Sequence, residues 1–385
     1  MLFACVHAPD YIVQAALRPT TPVPGGGATA AAVVDGPESL LRVVACNAAA
    51  RSLGVRGGMT RGQAGLCPGV LVKKRSLPQE EAAGTALLDC ALGFSPRVES
   101  THSGQVILDL TGMERLLGTA AEMGHQLASL AEACGFSVNV ALGPNPDAAW
   151  CAARGFPGIT VLASGKVADH LGSLPVEVLQ PTPEILDTLD SWGIRDLRSL
   201  AALPAVAITQ RLGQSGLHLQ RLARGEVRRE LVPFEQTATF QECLELEEAV
   251  ELLEPLAFLL HRMLEQLVAR LAARSLATDQ LDLELGLEIH RDQKLQEGPA
   301  ASAAPPSFCR GLKLPVPTQD AKILLRLLQL DLAAHPPRNP IIKDKPPSLS
   351  CAGPVDPGWI ISASGPGAGE ASSHHGPIAR SCGGM

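Results

Sequence analysis

Aromatic residues are scarce, at 3% of the chain. A nucleic-acid platform built from stacked rings, of the RNP or single-strand type, is therefore not expected. Positive charge is not in excess either. Lys and Arg total 32 against 39 Asp and Glu, leaving a formal net charge of −7. That excludes a globally basic nucleic-acid binder and leaves room only for a local basic surface. No run of 18 uncharged apolar residues occurs, which argues against a membrane span. The opening MLFACVHAPD has no basic segment ahead of its short apolar run, so it reads as a first strand rather than a signal peptide. The ten cysteines form neither CxxC nor CxxC…HxxxH spacing. Their mostly apolar neighbours suit buried, reduced thiols in a cytoplasmic protein, with no structural zinc and no disulfide framework.

What the sequence does contain is enough apolar material for several cores: 46% hydrophobic residues spread over 385 positions, which suggests two to four domains. Residues 105–111, QVILDLT, and 136–142, FSVNVAL, alternate apolar and polar as half-buried strands do. Between them Leu116, Leu117, Ala120, Met123, Leu127, Leu130 and Cys134 recur at helical spacing. Strand, helix, strand in that order is a unit of a sheet with helices packed on it. Residues 19–27, PTTPVPGGG, read as a loop. From about 170 to 232 the pattern becomes short helices around glycine-bearing turns, TLDSWGIRDLRSLAALP and ITQRLGQSGLHLQRLARG. Helix–turn–helix pairs of this kind point backbone N–H groups outward, where they can meet a phosphate.

A third stretch, about 235–345, predicts a βαββαβ order. ATFQECL is a strand, a long helix runs over about 244–276 with Pro255 as a kink, and DQLDLELGLEIH follows as a strand with Leu281, Leu283, Leu285, Leu287 and Ile289 on one face. FCRGLKLPV is the next strand, Thr318 caps a helix to about Leu332, and NPIIKDK closes the sheet. Residues 346–385 hold six Pro and eight Gly without periodicity and read as a disordered tail.

The segment VVACNAAARSLGVRGGMTRGQAGLCPGVLV, residues 43–72, resembles the fingers of Y-family (DinB/UmuC-like) translesion DNA polymerases. The family form is TANYPARKFGVRSGM…A…CP. The first strand, LDLTG at 108–112, NVALGPNPDAAWCAARG at 139–155 and LARG at 222–225 fall in the family's order. The resemblance implies an α+β chain of Y-family polymerase architecture. It would have a ferredoxin-like palm and small fingers over 1–165 (fingers about 13–76), a helix-hairpin-helix thumb over 168–232, and a βαββαβ little finger over 235–345.

That family uses two-metal phosphoryl transfer, in which carboxylates hold two Mg²⁺ about 3.5–4 Å apart. The family carboxylates are an Asp at the end of the first strand and an Asp-Glu pair in a S-I-D-E-A-Y-L-D pattern. Here His7 stands at the first position, and the pair reads Gly104-Gln105. Nor do neighbours substitute. Asp10 falls on the opposite face of the strand beyond Pro9, and Asp109 lies about 13 Å along the strand from Gln105. No catalytic residue, metal or cofactor is expected. Arg51 matches the family's triphosphate-contacting arginine and reads as a vestige, because the tyrosine expected three residues earlier is Ala48 and the palm lysine is replaced by Phe156-Pro157-Gly158.

This combination resembles the non-catalytic, ImuB-type branch of the family. It implies an adaptor in SOS-induced mutagenic repair that connects an error-prone polymerase, a RecA-like accessory protein and the sliding clamp at lesions, with no membrane role. A divergent but active polymerase opposite lesions is the alternative. The thumb supplies Arg211, Arg221, Arg224, Arg228 and Arg229 for DNA, and the fingers carry Arg56, Arg61, Lys73, Lys74 and Arg75. Asp282, Glu284 and Glu288 on the 281–290 strand would repel phosphates, so weak, non-specific, salt-sensitive binding to damaged or primer-template DNA is expected. No clamp-binding pattern follows any glutamine, and the end of the chain fits either a naturally short protein or a changed reading frame near residue 340.

Overall fold

The computed structural model describes residues 1–18, 29–102, 104–227, 229–234, 240–244, 246, 250, 253–287, 307–337, 339, 341 and 347–351. Its first sheet is built around β1 (Phe3–His7), which α1 (Tyr11–Leu17) follows. Alternation along β1 splits its side chains between two cores. Ala4 and Val6 pack with Leu87, Met123 and Leu127, whereas Phe3 and Cys5 pack on the other face with Ile107, Ala149 and Leu171. A strand covered on both faces needs apolar residues on both, which explains FACV.

The chain then leaves to form the fingers. These are β2 (Ala31–Asp35), β3 (Arg42–Cys46), α2 (Ala48–Ser52), α3 (Arg61–Gly65) and β4 (Leu71–Lys74), with sheet order β3-β2-β4. Asn47 caps α2 by accepting from the Ala50 N–H, and Thr60 with Gln63 forms a capping box on α3. The palm resumes with α4 (Leu77–Leu92), β5 (Val98–His102), β6 (Gln105–Asp109), α5 (Glu114–Leu117), α6 (Ala120–Ala133), β7 (Asn139–Gly143), α7 (Pro146–Gly155) and β8 (Ile159–Val161). Its five strands run β5-β6-β1-β7-β8, with β1 antiparallel to both β6 and β7.

The thumb consists of α8 (Val167–Leu171), α9 (Pro183–Ser191), α10 (Leu197–Ala202) and α11 (Ala205–Ala223). Gly193 turns α9 toward α10 at φ 75°, and Gly213 breaks α11 into two helices at φ 65°. A side chain at either position would be strained, which is why glycine punctuates both repeats.

The last domain has β9 (Phe240–Cys243), α12 (Leu253–Ala273), β10 (Thr278–Gly286), β11 (Ser307–Thr318), α13 (Ala321–Ala334) and β12 (Ser348–Cys351), with sheet order β11-β10-β12-β9. Leu281, Leu283 and Leu285 alternate onto Leu260, Leu264, Leu324 and Leu328 and are each fully buried. The βαββαβ order is as expected, but several boundaries move. The first helix begins at Leu253, so Pro255 sits in its first turn, where a missing N–H costs no helical bond and makes no kink. Asp320, not Thr318, caps α13, because its carboxylate accepts from the Lys322 and Ile323 N–H groups. The closing strand is Ser348–Cys351, inside the stretch read as tail. Leu349 is fully buried there and pairs with both β10 and β9. In the NPIIKDK segment, Ile341 forms isolated bridges to Val250 and Leu287. Leu287 lies just past β10, and Glu288, Ile289, His290 and residues 352–385 lie outside the described residues.

Candidate active site

β1 and β6 are in a register that sets His7 directly opposite Gln105. The two positions where the family pattern calls for carboxylates therefore do meet, on the palm face that α7 covers. Gln105 is 2% exposed, so each polar atom of its amide needs a partner. Trp150 on α7 donates its indole N–H to Gln105 Oε1 at 3.0 Å. Indole nitrogen can only donate, which fixes the orientation of the amide and leaves Gln105 Nε2 as a donor. That nitrogen lies 3.0 Å from His7 Nδ1. His7 must accept there, so its proton resides on Nε2 and the ring is neutral.

The electrostatics agree. Burial, reinforced by the positive charge of Arg154 and only partly opposed by Asp10, lowers the His7 pKa to about 4. Arg154 is itself half-buried. Its guanidinium stacks 5.1 Å from the Trp150 ring, and its Nε donates to the Val178 carbonyl at 3.0 Å. The site is thus a closed, neutral chain of donors and acceptors, Trp150 to Gln105 to His7.

Gly104 is occupied in a different sense. It sits at φ 78°, and a Cβ built on it would lie 2.6 Å from Tyr11 Cβ and Cγ. Any side chain there, an aspartate included, would need the Tyr11 ring to leave. The ring is held by its hydroxyl, which donates to the Glu80 carbonyl, and by the core around Leu87 and Val106.

The two nearby carboxylates are committed elsewhere. Asp109 is 9% exposed, pairs with Arg97 at 2.7 Å and accepts from the Thr111 N–H at 2.9 Å. Asp10, in the left-handed conformation at the start of α1, grips Arg51 through two bonds of 3.0 Å. An imidazole and an amide that are both satisfied, beside a glycine under a tyrosine ring, do not suit a hard cation that wants several anionic oxygens. Among the described residues no cluster of three His, Cys, Asp or Glu is placed to hold a metal ion.

The basic residues divide into two groups. Arg211 and Arg221 project from α11 into solvent. Arg224 turns back and donates to the carbonyls of Ala201 and Leu203, closing the end of α10. Arg229 bridges Glu99 at 2.7 Å and Asp147 at 2.9 Å, tying the segment after the thumb to the palm. Arg228 lies outside the described residues. In the fingers, Arg75 is held by Glu80 and Asp35, and Arg56 donates to the carbonyls of Arg51 and Val55, while Arg61 and Lys74 are exposed. On the little-finger sheet, Asp282 and Glu284 share the face away from the leucine core with Cys309 and Gly311 of β11.

Sequence reasoning missed Trp150, Tyr11 and Arg154. Only composition hinted at the first two: Tyr11 is the chain's one tyrosine, and Trp150 one of three tryptophans.

This arrangement of palm, fingers, thumb and little finger is the Y-family DNA polymerase fold. DinB from Sulfolobus solfataricus superposes with a TM-score of 0.52 at 16% identity, covering 91% of this chain and 98% of that one. Dbh DNA polymerase in an insertion ternary complex superposes at 0.50 and 17% identity, with 92% and 99% covered. Within that fold, residues 28–154 match the impB/mucB/samB family model. Two curated relatives come from Caulobacter vibrioides. DNA polymerase IV is 30% identical over 169 residues, 42% of this chain and 41% of the relative. Protein ImuB is 28% identical over 148 residues, 38% of this chain and 32% of the relative. Both matches span less than half of the relative's length.

Proposed function

We propose that this chain is a non-catalytic Y-family adaptor acting in SOS-induced translesion synthesis and repair at damaged DNA. The observation that carries the reading is the neutral chain Trp150–Gln105–His7, together with Tyr11 packed over Gly104, at the positions where a polymerase needs carboxylates. Two divalent cations cannot be balanced there without dismantling the hydrogen bonds that hold the palm face. The similarity to ImuB supports the same reading. Arg51, matched to a triphosphate contact, is neutralised by Asp10, so the nucleotide subsite has lost its free charge as well.

On this reading the protein works in the cytoplasm and bridges an error-prone polymerase, a RecA-like accessory protein and the sliding clamp. It touches damaged or primer-template DNA weakly, through Arg211 and Arg221 on the thumb. Among the described residues no helix is long and apolar enough to cross a membrane.

The test has two arms. Purified protein on a lesioned primer-template, with Mg²⁺ or Mn²⁺ and all four nucleotides, gives no extension. Incorporation abolished by His7→Ala or Asp109→Ala would establish the divergent polymerase instead. The second arm is capture of the clamp and the error-prone polymerase by the full chain. Capture of neither refutes the adaptor role.

A further inference from the structure

The little finger is joined to the palm by more than the connecting chain. Residue 270, on α12, is an arginine with no solvent exposure at all. Its Nε donates to Asp89 Oδ2 of α4 at 2.9 Å, and its Nη1 donates to Glu242 Oε1 of β9 at 3.0 Å. Glu242, 2% exposed, is shared with Arg18 at the end of α1, at 3.2 and 3.3 Å. Arg274 reaches the second oxygen of Asp89 at 3.5 Å. Gln266 donates to the Arg18 carbonyl, and Arg18 in turn donates from Nε to the Cys134 carbonyl at 3.0 Å. Three arginines and two carboxylates, contributed by both domains, thus form one continuous cluster that is almost dry.

Two uncharged features close the same seam. A Cβ on Gly93, at the end of α4, would lie 2.1 Å from the Ala273 carbonyl oxygen of α12, so the two backbones touch at a point where only glycine fits. Gly93 has ordinary right-handed helical angles, φ −67° and ψ −22°, so close approach rather than backbone conformation excludes other residues. The connecting segment is also fastened down. The Phe234 N–H donates to the Val98 carbonyl on β5 at 2.7 Å, and the Phe234 ring packs against the palm core.

Opening the seam would break the Arg270–Asp89 and Arg18–Glu242 pairs together with the Gln266–Arg18 hydrogen bond and the Gly93–Ala273 backbone contact, so a set of geometrically matched contacts must be given up at once. We infer that palm and little finger form one rigid body, closed by the Arg270 cluster and the Gly93 contact. The little finger therefore does not swing away from the palm when the protein meets DNA. This holds whether or not the palm has any catalytic activity.

Hydrogen exchange followed by NMR tests it on the full chain, through two donors that cross the seam or fasten its connector: the Arg270 Nε–H and the Phe234 amide. Both exchange as slowly as the β1 and β6 amides of the palm core, and adding primer-template DNA leaves them unchanged. Glu242→Gln, which removes one of the two anions, and Gly93→Ala, which wedges the seam without touching a charge, each speed exchange at both donors by about 10²–10³-fold. The β1 amides stay protected in both variants. Rapid exchange of the two donors in the unmodified chain overturns the inference, as does their release by DNA or a Gly93→Ala chain with unchanged protection.

Discussion

The neutral imidazole of His7 has a consequence that pH makes measurable. In the unfolded chain this histidine titrates near 6.5, and in the folded protein at about 4, because burial and the Arg154 charge oppose protonation. A depressed histidine pKa means that the unfolded state takes up the proton first. Stability contributed by the neutral ring is complete above about pH 6.5 and is lost as the pH falls from there toward 4. Between pH 7.5 and 5.0 the loss is about 2 kcal/mol, from a proton-binding difference acting over about 1.5 pH units at 1.36 kcal/mol each. The structural expectation is equally direct: a protonated Nδ1 would point its hydrogen at the Gln105 amide, which already donates.

His7→Asn is the appropriate comparison, because its side-chain carbonyl can still accept from Gln105 while nothing titrates. Urea unfolding of both proteins at pH 7.5, 6.5, 5.5 and 5.0 should show the native chain losing about 2 kcal/mol more than the variant across the range. The His7 ring proton, followed by NMR, should titrate with a midpoint near 4. Parallel stability curves, or a midpoint near 6.5, would refute the hydrogen-bond chain on which the functional reading rests.

Trp150→Phe keeps the ring stacked under Arg154 but removes the indole donor to buried Gln105 Oε1, and should cost about 1–3 kcal/mol in urea unfolding with no change in DNA binding. Arg211→Ala and Arg221→Ala should leave stability unchanged and each lower the slope of log affinity against log salt for primer-template by about 1. Arg224→Ala should do the reverse, lowering the melting temperature through the hydrogen bonds lost to the Ala201 and Leu203 carbonyls, which are left to Gln220, while the salt slope stays put. Nanomolar DNA binding that persists at about 0.5 M salt would contradict the weak electrostatic contact altogether.

How much of this was legible in the sequence depends on the distance between partners. The palm strands and α6 could be read because alternation and helical spacing are properties of neighbouring residues. That His7 and Gln105 face each other was set by the strand register, which pairs two short patterns 98 residues apart. Trp150 is 45 residues from the amide it satisfies, and no local period encodes that contact. The thumb arginines show the same limit from the other side. Five of them cluster in sequence, but Arg229 is engaged by Glu99, 130 residues away, so that proximity along the chain did not distinguish a free cation from a structural one. β12 was hidden by composition. Leu349 and Cys351 alternate with Ser348 and Ser350, a strand signal only four residues long between proline and glycine. Tertiary pairing with β10 and β9 decides it, which local propensity could not anticipate.

The tyrosine packed over Gly104 makes carboxylates hard to introduce here one at a time. A carboxylate placed at 104 alone would collide with Tyr11, and one placed at 105 alone would require His7 to give up its present tautomer and move its proton to Nδ1. One placed at 7 alone would be buried beside a glycine and an amide, with no second carboxylate to share a cation. Each single carboxylate disturbs an existing contact before any cation can be bound, so a two-carboxylate site at these positions requires several coordinated changes at once.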